Sequence, residues 1–526
     1  MTRSLPTCAL FLGALWLSPA FAQQAPAAQV PPAEAASLAT PAGAAPAAAP
    51  GTPQEGGPAD ALSDAGLKRF FEFTDFQGGL TSEQVAERAV SNSALVEQRQ
   101  ASARAAQAQE DEAASRLWPQ LTLSARYTRL SPVNNSLGGD NFNMVGTTAA
   151  AGQPLDTATD PLIPFAANFP NPVNQYELKA TLSVPVSDYL YRTGTAIETA
   201  EHSSEAARWN EHAAKLDVAA NARLAYYDWV RALGQQIVAE EAFANFKARE
   251  KDARVFYEAG TLPKAQLLGA QAQTKNAEVQ VTRAHHFVRV TEERLRTITY
   301  DKAPPGSYRV GEDLRSPPAP LGPLDTDALV REAENNRPEF KALAEQEQSV
   351  QGLVSLAKSE GHPRLDVNAN LIYGNPNQRY FPLREEWNPS WDVSAVLSWT
   401  PTDRARTNSV ARQQEARIAE LRAQRRSLLE GLRLEVTQAA QGVEEADATL
   451  GSAREALAAA EESYRGRREL FRIGQGSLVD LNDAEVALTR ARLEVINAHI
   501  DARSSRVRLE HARGLDKVPA KPRASR

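Results

Sequence analysis

Four short stretches of the chain alternate apolar and polar residues with a period of two, the pattern of a strand whose faces meet different surroundings. Leu121, Leu123, Ala125 and Tyr127 alternate with Thr122, Ser124, Arg126 and Thr128, and Tyr176, Leu178, Ala180, Leu182 and Val184 with Glu177, Lys179, Thr181 and Ser183. Further on, Leu365, Val367, Ala369, Leu371 and Tyr373 alternate with Asp366, Asn368 and Asn370, and Trp391, Val393, Ala395, Leu397 and Trp399 with Asp392, Ser394 and Ser398. Each pair of strands is preceded by one helical stretch and followed by two. The leading helices begin at Thr81, with Gln84 three residues on, and at Asp325-Thr326, and run to the residue before Pro119 or Pro363, where proline forces extended backbone. After the second strand of each pair, helical pattern runs unbroken over 192–257 and 406–473, and shorter helices follow over 264–300 and 479–513. At 1.5 Å per residue each long helix spans roughly 100 Å, too far for one small core to cover. We expect a rod in which long helices pair with shorter ones stacked end to end.

The same elements occur twice. Leu80 matches Leu324, Ala89 matches Ala333, Asn92 matches Asn336 and Pro119 matches Pro363 at one constant offset; Leu182 and Asp188 match Leu397 and Asp403 at a smaller one, and Gly260 matches Gly474 at one smaller by a further residue. The difference falls in 131–175, much longer than its counterpart 375–390. The units cover 80–300 and 324–514, joined by a Pro- and Gly-rich linker at 301–323. One helix-strand-strand-helical hairpin unit was duplicated.

All four strands have about the length that a tilted strand needs to cross a bilayer. Tyr127, Tyr176, Tyr373, Trp391 and Trp399 lie near strand ends, where aromatic girdles form, and the other face is polar, as a water-filled lumen requires. A half-buried sheet of a soluble domain would explain one such strand better than four. Because roughly eight strands make the smallest closed barrel, four require further chains.

Composition adds a destination and removes several chemistries. Residues 1–22 read as a secretory signal, with Arg3, a short apolar run and Ala20-Phe21-Ala22. Residues 23–62 hold almost only small residues and proline, a leader unable to bury enough surface to order itself; 515–526 read as a loose basic tail. With 58 Lys+Arg against 65 Asp+Glu the net charge is −7, unlike a nucleic-acid binder. The one cysteine, Cys8, lies in the signal, so thiolate chemistry is not expected in the mature protein.

With four alternating strands, two long hairpins and a duplication, the sequence resembles the TolC-like outer membrane efflux proteins over 80–514. Its most specific local match is the hairpin tip from Phe471 through Gly474, Gly476 and Asp480 to Ala484; Tyr257 to Gly260 and on to Leu267 is a degenerate copy. The resemblance implies a mainly α chain with a transmembrane β-barrel: a homotrimer, four strands per chain, whose twelve-strand barrel continues as a long α-helical periplasmic tunnel. It implies a periplasmic adaptor and an inner-membrane transporter as partners, and outer membrane lipid around the barrel. It places Asp480 and Asp483 at the periplasmic entrance, and Phe471, Gly474, Gly476, Tyr257 and Gly260 at the gate and tips. Phe471 stands where a gating Tyr is usual, Gly476 where an Arg is usual, and Gln266 at the first-half acidic position, which disfavours a polar latch and leaves packing to close the entrance. Ser477 equally reads as an N-cap with Asp480 completing a capping box. On the strands, Arg126, Glu177, Lys179, Asp366, Asn368 and Asp392 are the expected lumen residues.

No enzyme motif is found. His285 and His286 are adjacent and so point about 100° apart on a helix, and no metal-ligand pattern or phosphate loop occurs; no cofactor or metal is expected. The resulting expectation is a passive outer-membrane exit channel of a tripartite efflux or type I secretion system. The competing one is a periplasmic coiled-coil adaptor bridging the two membranes, normally built on one hairpin flanking compact β-domains.

Overall fold

A computed structural model describes residues 69–516 except 73, 75–76, 133–140, 148–151, 155, 157, 160–161, 169–171, 320, 323 and 382. The expected signal, the 23–62 leader and most of the basic tail lie outside the described residues. The first unit runs α1 (Ser82–Asn92), α2 (Ala94–Ser115), β1 (Gln120–Arg129), β2 (Asn141–Thr147), β3 (Leu162–Asn168), β4 (Asn174–Val184), a short α3 (Val186–Tyr191), α4 (Thr193–Glu258) and α5 (Lys264–Thr299). The second runs α6 (Thr326–Asn336), α7 (Pro338–Ser359), β5 (Arg364–Asn375), β6 (Asn388–Ser398), α8 (Arg404–Arg472) and α9 (Leu478–Ala512).

The leading helix expected to be continuous in each unit is two helices, of 11 and 22 residues in both. Ser93 leaves the helical region at φ −69°, ψ 124°, and its hydroxyl accepts the Val96 N–H to start α2. Arg337 does the same at φ −64°, ψ 126°, because Pro338 bars its predecessor from helical backbone and is itself suited to a first helical turn.

The long helices α4 and α8 have 66 and 69 residues. One part of α4 packs on α5, and another on α2 and α7; α8 packs on α9 and on α6 and α7, and α9 joins the halves by packing on α4. Small residues at the contacts bring the backbones close. A Cβ on Gly234 of α4 would stand 2.6 Å from Ile496 of α9, and one on Gly352 of α7 would stand 2.0 Å from the Thr199 hydroxyl of α4. The main core gathers Trp229, Tyr226, Leu295, Ile496 and Ile500 around Phe70 and Leu314. The linker between the units is thus part of the core: Val310 and Leu314 are buried, Leu80 and Val310 form a parallel bridge, and the Arg503 guanidinium donates to the carbonyls of Asp313 and Ser316.

The four expected strands form one antiparallel sheet, ordered β1-β4-β5-β6. The long connection 131–175, expected only as a loop, contains a separate hairpin of β2 and β3. Its 7-residue strands have no counterpart in the second unit, so the duplication gave no signal for them.

Candidate functional site: a two-faced sheet and a helical tip

The register of the sheet assembles each face from residues far apart in sequence. Leu121, Leu182, Ala369 and Val393 form one row, and Leu123, Ala180, Leu371 and Trp391 the next. The alternate rows are polar: Thr122, Thr181, Asn370 and Asp392, then Gln120, Ser183, Asn368 and Ser394. Arg126 stands opposite Glu177, Lys179 lies between Ser124 and Ile372, and Asp366 opposite Val396. All six polar residues expected to share a face therefore do so. Thr181 donates to Asn370 at 2.9 Å, Asn370 donates to Asp392 at 2.9 Å, and Arg379 approaches Asp392 at 3.4 Å.

Exposure along the two strands β4 and β6 is the reverse of that in a water-soluble sheet. On β4 and β6, Leu178, Leu182, Trp391, Val393 and Leu397 are exposed, Trp391 and Leu397 at 71% each, whereas the interleaved Glu177, Lys179, Ser390, Asp392 and Ser394 are half-buried. Contiguous apolar surface of this extent is a contact surface in waiting. Strands of 10 to 12 residues, tilted by about 40°, rise about 28 Å, the height of a bilayer's apolar layer. The outer strands β1 and β6 each pair on one side only, so the sheet ends in two open edges.

Aromatic residues collect at both ends of the apolar face. Tyr127 and Tyr176 face each other across the register with ring centres 5.1 Å apart, and Tyr373 stacks on Trp387 at 5.0 Å. Trp399 marks the opposite end, where its indole N–H donates to the Gly361 carbonyl at 3.2 Å. Trp391 lies within the apolar face, opposite Leu371. Trp118, Tyr191 and Trp387 extend the two aromatic groups and were missed because they sit just outside the alternating runs.

The two hairpin tips repeat one geometry. Gly260 and Gly474 have φ of +78° and +75°, the left-handed conformation that glycine adopts without strain. Gly260 N–H bonds the Tyr257 carbonyl and Gly474 N–H that of Phe471, both at 3.0 Å. The Phe471 ring meets Phe256 edge-on at 5.8 Å beside a small core of Ala253, Leu267 and Leu478. Tyr257 is exposed. A Cβ on Gly476 would stand 2.8 Å from the Phe471 backbone nitrogen, so the absence of a side chain there is built into the turn. Ser477 caps α9 by accepting the Val479 N–H. Asp480 turns to Arg467 of α8, 3.6 Å away, instead of closing the expected capping box. Asp480 and Asp483 are both exposed, three residues apart on one side of α9, and Asp483 has no ion pair among the described residues.

Residues 329–515 match the family model described as outer membrane efflux protein. The second repeat is an outer membrane efflux protein domain. Solved structures extend the likeness to most of the chain. The outer-membrane channel OprN is 18% identical with a TM-score of 0.64, over 87% of this chain and 93% of its own. The Campylobacter jejuni CmeC outer membrane channel is 16% identical at 0.64, over 83% and 88%. The open state of the Neisseria gonorrhoeae MtrE outer membrane channel is 15% identical at 0.63, over 82% and 89%. The likeness to these three is one of fold. No curated protein is similar to the chain in sequence. No described helix is long and apolar enough to cross a membrane.

Inside the efflux-protein domain the structure adds a polar ladder absent from the expected sites. Glu485, Arg492 and His499 recur every seven residues on the buried face of α9. Glu485 is ion-paired to the buried Arg249 of α4, whose guanidinium also donates to Tyr464 of α8 at 2.8 Å. Arg492 meets Glu241 of α4 at 3.3 Å, and His499 contacts the Arg454 guanidinium of α8 at 3.2 Å. The sequence carried the signal: these residues interrupt the stripe Leu481, Leu488 and Val495 at heptad spacing.

Proposed function

We propose that the chain is the outer-membrane exit channel of a tripartite efflux or type I secretion system, a passive duct whose energy comes from partners. The observation that carries this reading is the inverted sheet, exposed on its apolar face and open at both edges. Four strands cannot close alone. Three copies pairing β6 of one with β1 of the next would give the twelve-strand barrel, Leu123, Leu371 and Trp391 against lipid and Arg126, Glu177, Lys179, Asp366, Asn368 and Asp392 toward water. The long helices would continue as a tunnel into the periplasm. Asp480 and Asp483 from three chains would gather six carboxylates at the entrance, where one sign of charge favours cations. Phe471 against Phe256 would close the entrance by packing. The tips at Gly260 and Gly474 would meet a periplasmic adaptor, which engages the inner-membrane transporter.

The test is reconstitution of the full-length protein. Detergent-solubilised protein should run as a trimer and conduct ions in planar bilayers. A monomer recovered in the soluble periplasmic fraction without conductance would overturn the reading.

A further inference from the structure

At the end of the sheet where strands hand over to helices, a cavity of ≈ 350 Å³ opens between α3, the start of β5 and the end of β6. Its wall carries three guanidinium groups, Arg192, Arg364 and Arg406, and three carboxylates, Asp188, Glu360 and Asp403. Arg192 lies 3.7 Å from Asp188 and 3.8 Å from Glu360, and Arg364 lies 3.6 Å from Asp188. Arg406 lies 3.3 Å from Glu360 and 3.9 Å from Asp403. Among these five contacts only Arg406 with Glu360 is within hydrogen-bond length; Arg364 spends its Nε on Asp366, outside the lining, at 3.1 Å, while the side chains of Arg192, Asp188 and Asp403 balance charge across the cavity without a hydrogen bond to one another. The lining is formally neutral, which suits a ligand carrying both charges better than a simple anion.

The surroundings name the source of such a ligand. Trp399 and Tyr191 flank the cavity, 57% and 64% exposed, with Leu190 beside them at 69%. Trp399 continues the parity of the apolar face, on which Leu397 and Leu365 form the nearest row. The cavity straddles the end of the sheet, with Arg364 and Ser398 on the polar parity and Trp399 on the apolar one, so charged groups that accept a headgroup sit directly beyond an apolar surface that accepts acyl chains, with aromatic rings between, the order of layers at a membrane interface.

We propose that this cavity binds the phosphoethanolamine headgroup of a phospholipid, with the phosphate on Arg192 and Arg406, the ammonium on Asp188 and Asp403, and the acyl chains along Leu397 and Leu365. The inference rests on the reading of the sheet as membrane-inserted. It is tested with full-length protein in detergent by native mass spectrometry, titrating phosphatidylethanolamine, phosphatidylglycerol and inorganic phosphate separately. Expected are saturation at one phosphatidylethanolamine per chain, a preference of about fivefold or more over phosphatidylglycerol, and a loss of about tenfold in Arg192→Gln/Arg406→Gln, two charge-assisted phosphate contacts being removed. Asp403→Asn leaves the cavity net positive and should move the preference toward phosphatidylglycerol, a gain that misfolding cannot imitate. Arg425→Gln, on an exposed pair with Glu334 along α8, should change neither lipid. Equal binding of the two lipids, a preference unmoved by Asp403→Asn, or inorganic phosphate binding as tightly as lipid would overturn the site. Absent bilayer conductance with this selectivity intact would overturn the channel reading and leave the headgroup site standing.

Discussion

Arg249 of α4 and Glu485 of α9 form an ion pair sealed from water, their side chains 8% and 0% exposed, and Asn245 donates to the second Glu485 oxygen at 3.1 Å. The pair ties the first-unit hairpin to that of the efflux-protein domain, between the main core and the tips. Removing one partner leaves a buried charge alone. Arg249→Met is therefore expected to cost about 3 to 5 kcal/mol, and Arg249→Met/Glu485→Met to recover most of that loss. Thermal unfolding followed by circular dichroism measures both. The exposed pair of Lys358 and Glu415, 3.0 Å apart, is the reference and should be worth less than about 1 kcal/mol; an equal effect at the two sites would refute the assignment.

Two histidines on α9 predict opposite limbs of the stability-pH curve. Burial, then Arg454 and Arg503, push the His499 imidazole down to about 4. Between about pH 6.5 and 4 the unfolded chain binds a proton that the folded chain refuses, so stability falls as the pH falls. Burial acts the same way on His511, but Asp217 and Asp516 outweigh it and carry it up to about 9; its contribution is complete below about pH 6.5 and is lost as the pH rises through 9. Melting temperature against pH should lose its acid slope in His499→Gln and its alkaline slope in His511→Gln. Unchanged slopes would refute the linkage.

Close helix contacts make glycine substitutions position-specific. Gly352→Val would drive its side chain into Thr199, and Gly234→Leu into Ile496, at an expected cost of about 1 to 3 kcal/mol each. Gly269 on α5 has open space around its Cβ position, so Gly269→Ala should raise stability by about 0.5 to 1 kcal/mol. Chemical denaturation of the three variants distinguishes close packing from general intolerance.

The two faces of the sheet should respond differently to one kind of change. Leu123→Arg on the apolar face is expected to cost about 2 to 4 kcal/mol of membrane insertion and to reduce the yield of heat-stable trimer on native gels. Asp392→Asn on the polar face should leave trimer yield unchanged and alter ion selectivity in planar bilayers. A trimer lost in Asp392→Asn and kept in Leu123→Arg would reverse the assignment of the faces.

At the proposed entrance, Asp480→Asn and Asp483→Asn should each lower the preference for cations over anions, seen as a shift in reversal potential under a salt gradient. Because Arg467 lies 3.6 Å from Asp480, Arg467→Gln should raise that preference. An Asp483→Asn channel with unchanged reversal potential would remove Asp483 from the entrance.

Much of the architecture was legible because it rests on periodicity. Alternation located β1, β4, β5 and β6 to within a few residues, and the single proline before each first strand marked the change from helix. The break at Ser93 was less visible, since Asn92 interrupts the helical pattern no more than other polar residues do, whereas the break at Arg337 was marked by Pro338 and was passed over. The β2-β3 hairpin had neither clean alternation nor a repeat partner. Glu485, Arg492 and His499 were passed over because charged residues on a long helix usually face solvent, and only their seven-residue spacing set them apart.

The duplicated unit, the type and order of its main elements, the two-faced character of each strand and the glycine-ended tips all follow from local backbone preference and side-chain period. The tertiary structure alone decided which polar residues share a row, that apolar side chains lie exposed while Glu177 and Asp392 are half-buried, that the linker joins the core, and that Arg249 reaches Glu485 across 236 positions. Those relationships depend on strand register and helix packing, which join residues distant along the chain and leave no mark on the pattern of either partner alone.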